Sequence, residues 1–266
     1  MLKSDSAYMW SSISDEPYHE IHCHSEYEIY YFMQGDVEYL IEGDRYSPSP
    51  VSLLLIPPNS MHGVTIRSAQ LYWRASVHFL PELLAEDEQF LLTELFQGSC
   101  RYYPDVSPAT MDFLFQEILD CKNMEDPLRK TALKCRITSL LTHVCRIHQQ
   151  NKTPAEPKDE RIQAIRTYLN GNLQKNIALE ELSRKFRISK NHLNVLFRRE
   201  IGVTAMHYLR IKRLVFARQS MRQGLSAEDA AYTSGFNDYS NFYRAYRGFF
   251  GGKPSAQRRN GNSPSE

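Results

Sequence analysis

The sequence predicts an α+β multidomain protein in which a small β-barrel and a helical segment precede an all-α domain. Short strands rich in β-branched and aromatic residues alternate with turn signals between residues 20 and 64, a rhythm typical of a β-barrel or jelly roll. Residues 226–254 carry the pattern of two helices joined by a tight turn, and residues 178–202 repeat it. These observations predict one β domain and one helical domain.

Composition limits the classes of protein to consider. The 266 residues are 42% hydrophobic, which suits about two globular domains. The first ten residues lack the apolar core of a signal peptide, and no long apolar run follows, so we expect a soluble, cytoplasmic protein without membrane contact. Five cysteines without a C-x-x-C pair indicate reduced thiols rather than a disulfide framework or a structural zinc site.

Charge divides the chain into two unlike parts. From residue 159 onward there are 19 Lys and Arg against 9 Asp and Glu, a net charge of +10, whereas residues 1–158 carry a net charge of −9. A basic domain of this kind suits a polyanion such as nucleic acid. The acidic residues 1–158 do not suit such a partner.

Residues 1–81 are predicted to form the β-barrel. Apolar strands are expected at residues 27–33, 37–41 and 51–56, separated by glycine-containing and proline-containing turns. Residues 22, 24 and 28 share one parity on a strand, so two imidazoles and a carboxylate can converge with a histidine from another strand. This spacing resembles the two cupin motifs, H-x-H-x3-E-x6-G and P-x-G-x-x-H, in which Asn59 replaces the second glycine, and the matching residues are His22, His24, Glu28, Gly35 and His62.

Three roles for this histidine and carboxylate constellation stay open. We favour polar contacts with a small effector over structural or surface histidines. A divalent metal at His22, His24, Glu28 and His62 is possible but not favoured, and no other cofactor is predicted. Aromatic residues beside hydrogen-bonding groups suit a carbohydrate or another small polar ligand. The predicted effector-binding residues are His22, His24, Glu28, Tyr30, His62 and Trp73.

Residues 82–150 are predicted to be a helical segment. Apolar residues recur at helical spacing in residues 81–96 and 107–121, and a longer helix begins at Pro127. The apolar stripe of this helix contains Leu133, Ile137, Leu140, Leu141, Val144 and Ile147. The stripe can pack on the barrel of the same chain or pair with the same stripe of a second subunit. Residues 151–158 contain two prolines and no apolar periodicity, which predicts a linker.

Residues 226–254 predict a short helix, a tight turn and a second helix. Ser226 and the acids after it suit a helix start, and Gly235 permits the turn that ends this helix. Asp238 can cap the second helix, which buries Phe242 and Tyr246 while its opposite face is cationic and hydrogen-bonding. This is the layout of a helix-turn-helix, whose second helix enters the DNA major groove.

The same stretch carries a long signature. It closely resembles the C-terminal signature of AraC/XylS-type transcription regulators, roughly A-x3-GF-x5-F-x-R-x-F/Y-x4-G-x-x-P. The matching residues are Ala230, Ala231, Gly235, Phe236, Phe242, Arg244, Tyr246, Gly251, Pro254 and Arg258. The resemblance implies a DNA-binding domain at residues 159–260, with two helix-turn-helix motifs joined by a long helix, and a homodimer formed through residues 82–150.

An internal repeat supports this resemblance. Similar residues occur 49 positions apart: Phe242, Tyr246 and Gly251 correspond to Leu193, Phe197 and Gly202. The joining helix is expected at residues 204–222, with Arg210, Lys212 and Arg213 available to solvent or phosphate.

The resemblance places base contacts on the exposed early face of each second helix. Asparagine can read adenine, valine can touch a thymine methyl group, and arginine is the natural guanine reader. The predicted base-contacting residues are Lys190, Asn191, Asn194, Val195, Tyr239, Ser240, Asn241, Tyr243 and Arg244. The predicted phosphate-contacting residues are Arg198, Arg199, Arg247 and Lys253.

These patterns predict a sequence-specific DNA-binding transcription regulator, not an enzyme, which is controlled by a small polar effector such as a carbohydrate. The expected partners are double-stranded DNA, the effector and a second copy of the chain, with RNA polymerase as a candidate. Two alternatives stay open: a metal-dependent cupin enzyme fused to a nucleic-acid-binding module, and a ligand-independent DNA binder.

Overall fold

The computed structural model describes residues 2–3, 7–14, 21–97, 100–150 and 160–254. The chain divides into two compact units. The first unit spans residues 1–22 and 26–156, and the second spans residues 23–25 and 157–266. The predicted linker at residues 151–158 and Arg258 of the signature lie outside the described residues.

Two antiparallel sheets build the first unit. The strands are β1 (Leu2–Lys3), β2 (Ala7–Ser14), β3 (Tyr27–Gln34), β4 (Val37–Ile41), β5 (Asp44–Tyr46), β6 (Ser52–Ile56), β7 (His62–Ile66), β8 (Tyr72–Phe79) and β9 (Arg101–Tyr103). One sheet has the strand order β1-β2-β8-β3-β6-β9, and the other has the order β5-β4-β7. The three strands expected from the sequence correspond to β3, β4 and β6.

The two sheets enclose a common core, which we call the barrel interior. Alternate side chains of β3, β6 and β8 meet side chains of β4 and β7 there, because residues two apart on a strand share a face. The apolar and aromatic members of this buried cluster are Tyr30, Phe32, Val37, Tyr39, Ile41, Leu54, Ile56, Val64, Ile66 and Tyr72. This architecture confirms the predicted cupin-like β domain.

Helices cover the outer face of the larger sheet. They are α1 (Phe90–Phe96), α2 (Pro108–Asp120) and α3 (Leu128–Gln150). Outward side chains of the sheet, such as Ile29 and Val77, belong to one buried cluster with the stripe of α3. Since Leu133, Leu140 and Val144 are at most 1% exposed within that cluster, the stripe packs against its own sheet, and a dimer needs another surface.

Strand β9 lies within residues 82–150, which were predicted to be a helical segment, between the first two expected helices. It pairs with β6, and Leu54 lies opposite Tyr102. Three residues are too few to show the alternation by which strands are recognised in a sequence. The segment after residue 81 therefore contributes a strand to the first unit as well as helices.

Six helices form the described part of the second unit. They are α4 (Glu160–Asn170), α5 (Leu179–Lys185), α6 (Lys190–Ile201), α7 (Ala205–Arg222), α8 (Ala227–Thr233) and α9 (Tyr239–Phe250). The pairs α5–α6 and α8–α9 are the two expected helix-turn-helix motifs, and α7 joins them. No helix among the described residues has both the length and the apolar character needed to cross a membrane.

Candidate DNA interface and effector site

Helix α6 is the second helix of the first motif. The Ser189 hydroxyl caps it by accepting the His192 backbone N–H at 3.3 Å. Gly202 ends it in a left-handed conformation at φ 87°, which glycine adopts without steric cost. Leu193 and Phe197 are fully buried beneath the helix, and the opposite face is solvent-exposed.

Helix α9 repeats this frame in the second motif. Its N-cap, Asp238, stands 49 residues after Ser189 and accepts the backbone N–H groups of Ser240 at 2.6 Å and Asn241 at 3.2 Å. Gly251 ends the helix at φ 73°, again 49 residues after its counterpart. The two helices therefore have the same length and equivalent caps.

The predicted base-contacting residues of α6 differ in how available they are. Asn191 is exposed, and Val195 is 63% exposed although it is apolar. Asn194 is partly buried. The Lys190 ammonium donates to Glu180 Oε1 at 2.8 Å, so a base or phosphate would have to compete with this carboxylate.

The predicted base-contacting residues of α9 form a mixed face. Arg244 is exposed, and its Nη2 donates to Asn241 Oδ1 at 2.5 Å, which holds the guanidinium against the same face of the helix. Ser240 is exposed, whereas Tyr239 and Tyr243 are partly buried. Tyr239 also packs on Phe242, with ring centroids 5.8 Å apart. Tyr239 therefore contributes to the core as well as to the surface.

The predicted phosphate-contacting residues Arg198, Arg199, Arg247 and Lys253 are all exposed. Two further cations that were expected to be available on α7 are not. Lys212 is 6% exposed, and half-buried Arg213 donates to the backbone carbonyls of Leu173 and Lys175. Desolvation lowers the pKa of Arg213. The sequence did not reveal the role of Arg213, because its two backbone acceptors lie about 40 residues earlier in the chain.

A polar network occupies part of the barrel interior around Glu28. The Ser76 hydroxyl donates to Glu28 Oε1 at 2.7 Å and contacts His78 Nε2 at 2.7 Å. Because the single Ser76 hydroxyl hydrogen points to the carboxylate, His78 Nε2–H donates to Ser76. His78 lies directly opposite Glu28 in the β3–β8 pairing, and both side chains are buried.

His62 approaches the same carboxylate from the smaller sheet. Its Nε2 lies 3.3 Å from Glu28 Oε2, while its Nδ1 lies 2.9 Å from the Ser60 carbonyl oxygen. A carbonyl only accepts hydrogen bonds, so Nδ1 carries a proton. Nε2 and the Glu28 carboxyl group therefore need a proton shared between them, or a cation or a ligand donor that contacts both.

Three tyrosine hydroxyls also meet in the barrel interior. Tyr72 hydrogen-bonds to both Tyr30 and Tyr39. Burial raises the pKa of Tyr30 and Tyr39, and it raises the pKa of Tyr72 to about 12, although the cation of Arg74 opposes the rise at Tyr72. The Arg74 guanidinium lies over the Tyr72 ring at 4.0 Å. These hydroxyls stay protonated near neutral pH, and because their two mutual hydrogen bonds use two of the three hydrogens, one hydrogen is left to donate to a ligand.

The predicted effector-binding residues are placed unequally. Glu28, Tyr30 and His62 face the barrel interior, and the ring of exposed His22 meets His62 in an edge-on contact with ring centroids 4.2 Å apart. His24 is 9% exposed and lies in the short segment of residues 23–25 that groups with the second unit, so its part in this site stays a prediction.

Trp73 does not face the barrel interior. It alternates with Tyr72 and Arg74 on β8, so it lies on the outer face of the sheet, where it is 45% exposed. The residues that β8 turns inward are Tyr72, Arg74, Ser76 and His78. Ser76 and His78 were not among the predicted site residues, although the two-residue alternation from Tyr72 onward was a usable signal.

Comparison with known proteins identifies both units. The family model for a helix-turn-helix domain matches residues 182–260, and the model for an AraC-like ligand binding domain matches residues 12–141. The probable transcription factor PqrA of Proteus vulgaris is 32% identical over 103 residues, which cover 38% of this chain and 84% of PqrA. The chain belongs to the AraC/XylS family of transcription regulators.

Two other known proteins match over more of the chain. The uncharacterized HTH-type transcriptional regulator YbfI of Bacillus subtilis strain 168 is 24% identical over 230 residues, covering 83% of this chain and 80% of YbfI. A crystal structure of apo ToxT from Vibrio cholerae superposes over 96% of this chain and 98% of that chain, with 12% identity and a TM-score of 0.47. The relatives are transcription regulators rather than enzymes.

The donor set of the ligand-binding domain also fits a divalent metal. The ligand atoms of His22 and His62 lie within 4.8 Å of each other, and so do those of Glu28 and His78. Imidazole and carboxylate are ordinary ligands of zinc and similar ions. The contact from His62 Nδ1 to a backbone carbonyl is the outer support that metal-binding histidines commonly have. These residues can therefore serve either a metal ion or an organic effector.

Proposed function

We propose that α6 and α9 of this AraC/XylS regulator read bases in two successive major grooves. One observation carries the proposal: the N-cap, the buried positions and the C-terminal glycine of α6 all recur in α9, 49 residues later. Each helix exposes polar side chains in its first turns, where helix-turn-helix proteins contact base edges. Two such helices on one domain suit a site whose contacted bases fall about one DNA turn apart.

The base contacts follow from the exposed chemistry of each helix. Asn191 and Asn194 suit adenine, exposed Val195 suits a thymine methyl group, and Lys190 suits guanine once it leaves Glu180. On α9, the Asn241 amide orients the Arg244 guanidinium for a bidentate contact with guanine. Ser240, Tyr239 and Tyr243 supply further contacts at the edge of this surface.

Phosphate contacts complete the interface. Exposed Arg198, Arg199, Arg247 and Lys253 bind the DNA backbone on either side of the base-reading faces. Such contacts set affinity and register without reading sequence, and they make binding sensitive to salt.

Selection of bound duplexes from a random library tests the base-reading proposal. The full-length protein is expected to enrich two short sequence blocks whose centres lie about 10 base pairs apart, one for each helix. Enrichment of a single block, or of none, contradicts reading by both helices. The selected duplex then serves as the specific site for all further measurements.

We further propose that the effector is a small polar molecule, such as a carbohydrate, which binds beside Glu28. The carboxylate, the Ser76 hydroxyl and the imidazoles of His62 and His78 lie together in the barrel interior. A sugar offers several hydroxyls that can donate to the carboxylate and accept from the imidazole and tyrosine groups. Ligand binding then favours one of the protein's DNA-binding states over another.

Thermal unfolding with a panel of sugars, small carboxylates and divalent ions tests the effector proposal. A ligand that binds the folded state raises the melting temperature. The shift is expected for wild type and for the outer-face control Trp73→Phe, and it should be lost in Glu28→Gln. An equal shift in Glu28→Gln places the ligand elsewhere. Stoichiometric metal uptake by dialysis that is lost in Glu28→Gln supports the metal alternative.

We also propose that the regulator works as a homodimer in the cytoplasm, where it meets the chromosome and RNA polymerase. A dimer would match paired operator half-sites. The buried stripe of α3 is already used within the chain, so we place the dimer contact on exposed faces of the first unit outside this stripe. Light scattering at micromolar concentration should give twice the monomer mass, and a monomer mass contradicts the proposal.

A further inference from the structure

The two helix-turn-helix motifs meet at a junction inside the second unit. Arg213, near the middle of α7, donates from Nε to the Leu173 carbonyl oxygen at 2.7 Å and from Nη2 to the Lys175 carbonyl oxygen at 2.6 Å. Both carbonyls lie in the loop between α4 and α5, which leads into the first motif. One guanidinium therefore ties this loop to the joining helix.

The turn of the second motif lies against the same loop and the same arginine. Gly235, between α8 and α9, has φ +93°, and a Cβ atom built there would lie 2.3 Å from the Leu173 carbonyl oxygen and 2.9 Å from Arg213 Nε. Since real Cβ atoms do not come this close to a carbonyl oxygen, only glycine fits. Loop 171–178, Arg213 and the turn at Gly235 are in direct contact.

This junction bridges two separately packed halves. On the N-terminal half of α7, the Tyr208 ring packs on Phe197 of α6, with centroids 5.9 Å apart. On its C-terminal half, Leu214, Ala217 and Met221 belong to the buried cluster of α8 and α9. Arg213 lies at the boundary between these two packing regions, so it can fix one motif relative to the other.

We propose that Arg213, seated against Gly235, is a positioning residue that sets the separation and angle of the two recognition helices, and thereby the base-pair spacing the regulator accepts. The fork of an arginine can hold two carbonyls at once in fixed directions, which the single ammonium of lysine does not reproduce. Arg213 then acts on specificity without touching DNA. This inference rests on the proposed base reading by both helices.

The test compares the selected duplex with duplexes in which one base pair is inserted or deleted between its two blocks. In wild type, the altered spacing is expected to raise Kd by about tenfold or more, because one helix loses its base contacts. Arg213→Lys should reduce this penalty to about threefold or less, since the helices can adjust. The ratio of the two Kd values does not depend on the folded fraction of a preparation, so partial unfolding cannot imitate the result.

Two glycines provide a matched pair for the same measurement. Gly235→Ala places a methyl group against Leu173 and should also reduce the spacing penalty. Gly224→Ala imposes comparable backbone strain at φ +103° but meets nothing within 4 Å, so it should keep the wild-type ratio.

A wild-type ratio in Arg213→Lys overturns the inference, even if affinity falls overall. If Gly224→Ala and Gly235→Ala change the spacing penalty equally, the contact of Gly235 with Leu173 and Arg213 does not set the spacing. A wild-type protein without any spacing preference instead overturns the proposed base reading by two helices, and this inference with it.

Discussion

Helices α6 and α9 have the same length and equivalent caps, but their exposed faces carry different chemistry. The face of α6 combines Asn191 and Val195 with a lysine held by Glu180. The face of α9 presents Arg244, held by Asn241, beside partly buried tyrosines. The repeat has thus preserved the positions that shape the backbone, whereas the positions that face outward differ.

This difference distinguishes the residues that stabilise the two helices from the residues that are available to contact DNA. Buried and capping residues recur in kind at 49-residue spacing because both helices need the same support. Exposed residues are free of that requirement, so each helix can read its own base sequence. Changes to the support should therefore lower stability, and changes to the faces should alter DNA binding with little effect on stability.

The largest expected effect is on the support of α9. Phe242→Ala should lower the free energy of unfolding of the DNA-binding unit by about 3–5 kcal/mol, because it leaves a cavity under a fully buried ring. Leu193→Ala, the matching change in α6, should cost about 2–5 kcal/mol. Urea unfolding followed by circular dichroism measures both. Losses below about 1 kcal/mol in either helix would refute the equivalence of the two cores.

The next effect concerns the face of α9. Arg244→Ala should weaken binding to the selected duplex by about 1–3 kcal/mol while binding to random duplex changes little, since a guanine contact is lost. Arg247→Ala, on the same helix, should weaken binding to both duplexes alike because it removes a phosphate contact. Fluorescence anisotropy at fixed salt measures these affinities. Equal losses on both duplexes for Arg244→Ala would exclude a base-reading role.

The caps should give a smaller and unequal effect. Asp238→Ala should cost about 1–2 kcal/mol of stability, and Ser189→Ala about 1 kcal/mol or less. The charged side chain of Asp238 accepts two backbone N–H groups, whereas the Ser189 hydroxyl accepts one at 3.3 Å. Thermal unfolding of the two variants gives the order, and a larger loss for Ser189→Ala would reverse it.

The smallest effect concerns the pair that restrains Lys190. Glu180→Gln should strengthen binding to random duplex and make the salt dependence steeper by about one phosphate contact, because the freed ammonium can reach the backbone. Glu228→Gln is the matched control, because Glu228 is the second residue of α8 as Glu180 is the second residue of α5, whereas the residue 49 after Lys190 is Tyr239. An unchanged salt slope in Glu180→Gln would show that the pair does not limit Lys190.

Local patterns predicted the DNA-binding unit well and the barrel interior only in part. The Ser189, Ser226 and Asp238 caps and the glycine turns each lie within a few residues of the helices that they define, so spacing alone revealed them. Ser76 and His78 reach Glu28 through the β3–β8 pairing, across about 50 residues of chain. A strand pattern does not say which strand will lie beside it.

The wrong predictions for Trp73 and Arg213 also come from contacts that a local sequence pattern does not show. Trp73 was expected inside because its strand is aromatic, but a one-residue error in parity moves a side chain to the other face. Arg213 was expected at the surface because arginine usually lies there. Its two carbonyl acceptors lie about 40 residues earlier in the chain, so no local pattern could indicate that it is half-buried.

Methylation protection of guanine N7 on the selected duplex tests reading by both helices most directly. Full-length wild type should protect two major-groove segments about one helical turn apart on one face of the DNA. Arg244→Ala should restore reactivity in one segment and leave the other protected. A single protected segment in wild type, or loss of both segments in Arg244→Ala while the variant stays bound, would contradict this account.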